Sequence, residues 1–68
     1  MDDFKLRTIW ESWENGNRRQ MVEQIDEYGL YDFWGHFRTY LMDLGCGDRY
    51  LIDVFTDMTI SYFRIKNG

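Results

Sequence analysis

The stretch Asp32-Phe33-Trp34-Gly35-His36-Phe37-Arg38-Thr39-Tyr40-Leu41-Met42-Asp43-Leu44-Gly45 decides the fold. Phe33, Trp34, Phe37, Tyr40, Leu41 and Leu44 recur at helical spacing, so one face is apolar while Arg38, Thr39 and Asp43 lie off it. Asp32 offers a cap oxygen before that stripe, and Gly45 offers a left-handed stop after it. Period, start and stop agree on a helix over 33–44.

The segments on either side carry the same punctuation. Upstream, Leu6, Ile9, Trp10 and Trp13 fall at i, i+3, i+4 and i+7, which predicts a first helix over 3–14 with Glu11 and Ser12 facing away. Glu14-Asn15-Gly16-Asn17 breaks it. Asn17, followed three residues on by Gln20, fits a capping box opening a second helix, whose stripe is Met21, Val22, Ile25 and Tyr28 and whose stop is Gly29. Downstream, Gly45-Cys46-Gly47 is a short connection, and Asp48 can cap a last helix running toward Lys66 with Leu51, Val54, Phe55, Met58, Tyr62 and Ile65 inward. Residues 59–65 are rich in β-branched and aromatic side chains and also read as a strand. Helix is preferred, because a lone strand would leave its backbone groups unpaired unless it met a copy of itself. The expectation is an all-α fold, a small four-helix bundle spanning residues 1–68 as one helical domain. The third and fourth helices should form the backbone of its core, with Phe37, Leu41, Phe55 and Met58 at the centre.

Composition narrows the chemistry. The chain has five Phe, five Tyr and three Trp but no proline, one histidine and one cysteine. Large rings can stabilise a domain too short to rely on an ordinary core, whereas a disulfide or a structural metal lacks the residues to form within the chain. No cofactor is expected. Self-association is the other way to extend such a core. Twelve acidic against eight basic residues give a net charge of −4, which disfavours nucleic acid and anionic membranes and suits a protein partner with a basic surface. No apolar run is long enough to span a bilayer, and Met1-Asp2-Asp3 has the wrong charge for a signal peptide, so a cytoplasmic location is expected.

Catalytic groups are hard to assemble. His36 and Cys46 are separated by most of a helix with no local motif around either, so no nucleophile and base can be paired. Cys46, between two glycines, reads as an accessible turn residue. The second helix, Gly29 and the third helix have the order of a helix-turn-helix, but Ile25 is bulky for the close crossing and Arg38 is the only cation of the would-be recognition helix.

Association is better represented. Around the fourth helix a second apolar line of Ile52, Thr56, Thr59 and Phe63, with Ile60 beside it, leaves only Asp53, Asp57 and Arg64 plainly polar. Such a helix is either central in the fold or docked on another molecule, and part of this line is expected to be exposed. Phe4 and Met42 also point outward. Glu23, Asp26 and Glu27 share a face of the second helix, which reads as a solvated surface or as an acidic contact for a basic partner. Arg18 and Arg19 sit where the helix dipole disfavours positive charge, so an acidic neighbour such as Glu14 or a partner's acid should offset them. The expected function is a non-catalytic interaction module that associates through Ile52, Ile60, Phe63, Asp53, Asp57, Arg18, Arg19, Glu23, Asp26 and Glu27. One concrete form is a stoichiometric inhibitor or adaptor of the kind phages and mobile elements direct at host machinery. The alternative is a homodimeric DNA-binding regulator using Arg18, Arg19 and Arg38.

Overall fold

The computed structural model describes residues 3–68. Met1 and Asp2, which carry the reading of the chain start, lie outside the described residues. Four helices follow one another: α1 (Asp3–Glu14), α2 (Arg18–Tyr28), α3 (Leu30–Asp43) and α4 (Asp48–Asn67). Among the described residues there is no strand, and residues 59–65 lie inside α4. Their β-branched preference is overridden by tertiary burial, because helical spacing is what places Leu51, Val54, Met58 and Tyr62 together in the core.

The helix ends obey backbone hydrogen bonding more than side-chain capping. After α1 the amides of Gly16 and Asn17 donate back to the carbonyls of Trp13 and Ser12, and after α3 those of Gly45 and Cys46 donate to Met42 and Leu41. Both are Schellman closures that satisfy last-turn carbonyls. In the second, Cys46 follows the bend inward and packs against the core, so it is half-buried rather than accessible. Asn17 caps α2, its Oδ1 accepting from the Gln20 amide at 3.4 Å. In the reciprocal arm Gln20 Oε1 accepts from Asn17 Nδ2 at 2.7 Å and not from the Asn17 backbone N–H, which donates to the Ser12 carbonyl.

Asp32 and Asp48 are not caps. Gly29 precedes α3 and Gly47 precedes α4, placing both aspartates in the first turn, where negative charge meets the positive end of the helix dipole. Gly29 has a second duty, since its N–H donates to the Ile25 carbonyl at 2.9 Å and its carbonyl accepts from Phe33 at 2.8 Å. One residue closes α2 and opens α3. Its φ of 108° lies in a region that side chains with a Cβ rarely adopt.

The core collects Leu6 and Ile9 from α1, Met21, Val22 and Ile25 from α2, Phe33, Phe37 and Leu41 from α3, and Leu51, Val54, Met58 and Tyr62 from α4. The backbone of α2 runs close to all three other helices, whereas α4 stays farther from both α1 and α3. The expected order is therefore corrected, with α2 as the hub and not α3 and α4. Side-chain bulk explains it: α2 turns slim aliphatic groups inward, while the gap between α3 and α4 is filled by rings. Phe37 stacks on Phe33 at 4.9 Å and meets Phe55 edge-on at 5.5 Å, and Trp34 lies 5.3 Å from Phe55.

Of the four residues expected at the centre, Phe37, Leu41 and Met58 are fully buried, and Phe55 is half-buried at the α3–α4 seam. Two further expectations fail. Leu44, the C-cap residue at the end of α3, is exposed. Ser12 is buried instead of facing away, since α2 covers it and its hydroxyl donates to Gln24 Oε1 at 2.7 Å.

Phe37→Ala should cost about 3–5 kcal/mol, a large part of the stability expected of so small a domain. Urea unfolding followed by circular dichroism measures it. A midpoint close to the parental one would show that the ring cluster does not hold the fold.

Candidate functional site

Ile52, Thr56, Ile60 and Phe63 occupy an arc of about 80° on α4 facing away from its buried stripe. Ile52 is 65% exposed, Ile60 52% and Phe63 49%. The line runs about 16 Å along the helix. Thr59 and Phe55 lie between it and the core and are half-buried. Exposure of these side chains follows from the packing just described: α4 has only α2 close against its backbone, so the side away from α2 has no helix to cover it.

The charged residues named from sequence divide into two groups. Asp57 is drawn inward, accepting from Trp13 Nε1 at 2.5 Å and from Arg18 Nη2 at 2.9 Å, and so joins α4 to α1 and α2. Arg18 also donates to the Trp13 carbonyl and lies over the Trp13 ring, 5.4 Å from its centroid. That arrangement replaces the expected Glu14 contact. A guanidinium at the unfavourable start of α2 reaches the negative end of α1 and a carboxylate of α4 together. Asp26 is likewise engaged, accepting from Tyr62 Oη at 2.5 Å and Lys66 Nζ at 2.8 Å. Arg19, Glu23, Glu27, Arg38, Asp53 and Arg64 remain exposed. The surface acids of α2 are thus Glu23 and Glu27, with Asp26 tied to α4. Of the three arginines weighed for DNA contact, Arg18 is held in an ion pair.

Other candidates are smaller. A depression of about 180 Å³ opens between the start of α1 and the end of α2, lined by Phe4, Lys5, Thr8, Ile9, Gln24, Glu27 and Tyr28. Pockets for drug-sized ligands begin at about 300 Å³. His36 Nδ1 lies 2.7 Å from Tyr28 Oη, a bond that fastens α3 to α2. Among the described residues no group of His, Cys, Asp and Glu is placed to hold a metal ion, and no helix is long and apolar enough to cross a membrane. Phe4 and Met42 are exposed as expected. Tyr31, 90% exposed, was missed because the sequence reading began the third helix after it. The Trp34–Phe55 seam was missed as a surface because both residues sit on their buried stripes, and only the separation of α3 from α4 leaves them half-covered.

The chain matches no protein-family model, and no curated protein or solved structure matches it. Its function is therefore argued from the surface itself.

The Asp26 cluster predicts a pH response. Hydrogen bonds from Lys66 and then Tyr62 hold the Asp26 carboxyl below its usual range, while the bond to Asp26 raises both Tyr62 and Lys66. A depressed carboxyl contributes stability that is present above about pH 4 and lost as pH falls through its folded value. The raised Tyr62 and Lys66 contribute stability that is present below about pH 10 and lost above it. Because Asp26 and Lys66 are 39% and 47% exposed, solvent screens the effect and it should be modest. Thermal melts across pH should show Asp26→Asn flattening both limbs. A variant with the parental profile would remove the cluster from the stability of α4.

Proposed function

We propose that this chain is a non-catalytic association module that acts by occupying a protein surface, as a stoichiometric inhibitor or adaptor does, and that the outward face of α4 is where it docks. The observation that carries this reading is the contiguous exposure of Ile52, Ile60 and Phe63 on one helix face. Scattered apolar residues are ordinary on a protein surface, but a continuous line with a polar border is the pattern of an interaction site. Phe63 and Ile60 would supply the apolar centre, and Asp53 and Arg64 the rim.

Occupancy suits these residues better than turnover. The one imidazole is bonded to Tyr28, and the depression beside α1 is small for a substrate pocket. A net charge of −4, with Glu23 and Glu27 displayed on α2, favours a partner whose surface is basic around its apolar contact. The cytoplasm and a phage or mobile-element setting are the context in which such a small acidic binder would work.

Phe63→Asp should weaken association by at least about tenfold, because the charge would be desolvated in the contact, yet leave the helical spectrum and melt nearly unchanged. Affinity co-purification of the parent and the variant, with circular dichroism on both, tests this. Retention of every associated chain by a folded variant would overturn the reading, as would unfolding, which would place Phe63 in the core.

A further inference from the structure

We infer that the outward face of α4 pairs with the same face of a second copy of this chain, antiparallel about a two-fold axis, with Asp53 of each copy opposite Arg64 of the other. This rests on the reading of that face as a docking surface, and makes a second copy the occupant that a basic-surfaced partner would have to displace. The ground is the order of residues along the exposed line: Ile52 and Asp53 at one end, Thr56 and Ile60 in the middle, Phe63 and Arg64 at the other. A two-fold axis lying between the two copies, perpendicular to the helix at the height of residue 58, reverses that order while keeping each edge on its own side. Ile52 then meets Phe63, Thr56 meets Ile60, and Asp53 meets Arg64, each contact made twice.

The charges decide the direction. Asp53 and Arg64 lie on the same edge of the line, both exposed, and among the described residues neither side chain enters an ion pair or hydrogen bond, in contrast to Asp57 and Asp26. A parallel pairing, with its two-fold along the helix axis, would carry this edge of the second copy to the opposite side and leave Asp53 and Arg64 without each other, whereas the antiparallel one sets opposite charges together and opposes the two helix dipoles. The face is thus complementary to itself. Its footprint is limited, since a helix of this length offers roughly 30 Å by 10 Å, or about 300 Å² per copy. Stable interfaces bury about 1,200 Å² or more in total, so the dimer should be weak, with a Kd on the order of 10–100 µM.

Sedimentation equilibrium on the full chain under reducing conditions, from low micromolar to millimolar concentration, tests the pairing, with circular dichroism to verify folding. The parent should pass from monomer to dimer, and Phe63→Asp should remain monomeric. Asp53→Arg and Arg64→Asp should each weaken dimerisation by about five- to tenfold, since each places like charges together at two symmetric contacts. The double variant D53R/R64D should recover to within about threefold of the parent, because the swapped pair restores the attraction. A parent that stays monomeric to millimolar concentration, or a dimer untouched by Phe63→Asp, overturns the inference. A dimer that needs Phe63 but ignores the charge reversals overturns the antiparallel arrangement. If the parent is monomeric while Phe63→Asp still loses a co-purified protein, the self-pairing fails and the docking reading stands. If neither is affected, both fail.

Discussion

The ring of Phe37 is the constraint from which the rest follows. It is fully buried and touches Trp10 of α1, Phe33 and Tyr40 of its own helix, and Phe55 of α4. Well-placed ring pairs contribute about 0.5–1.5 kcal/mol each beyond the area they bury, which matters in a domain with few other means of stabilisation. The same rings are wide. They hold the backbone of α4 away from α3, and the slim inward residues of α2 let that helix become the common neighbour. A long helix resting mainly on one other has more circumference than the fold can cover. The exposed line from Ile52 to Phe63 is a geometric result of building the core from aromatics.

Polar contacts then settle where α4 lies. Asp57 gathers the Trp13 indole and the Arg18 guanidinium near the middle of the helix, and Asp26 gathers Tyr62 and Lys66 near its end. Trp10 Nε1 donates to Tyr50 Oη at 3.0 Å near its start. Tyr62 is buried, but the charged partners Asp57, Arg18, Asp26 and Lys66 are all partly exposed, so each ion pair contributes modestly to stability. Their value is directional: apolar contacts would tolerate rotation of α4 about its axis, and these bonds do not. They fix which residues of the helix face outward.

Much of this was legible in the sequence, and the parts that were not have a common cause. The stripes of α1, α2 and α3 follow from local period, and the glycines after α1 and α3 mark their stops, because both signals act within a few residues. Asp32 and Asp48 were read as caps from their type, yet the backbone of Gly29 and Gly47 occupies those positions, and nothing local separates a capping aspartate from one in the first turn. Ser12 is buried through Gln24, and Asp57 and Asp26 are claimed by Trp13, Arg18, Tyr62 and Lys66, pairings that depend on how helices cross. The exposed line on α4 was legible as an excess of apolar residues. The withdrawal of Asp57 from its polar edge was not, and that withdrawal leaves Asp53 and Arg64 as its charged termini.

Gly29 has a mechanical consequence. Because one residue both ends α2 and begins α3, a change in the angle between the two helices has to be absorbed by the φ and ψ of Gly29 alone. The Tyr28–His36 bond braces the inside of the bend. A change in that angle also has to break this bond. The connections on either side, residues 15–17 and 44–47, are longer. Any load applied to the outer face of α4 reaches α2 through the Arg18–Asp57 and Lys66–Asp26 pairs, and so meets the single-residue joint at Gly29 from the α2 side.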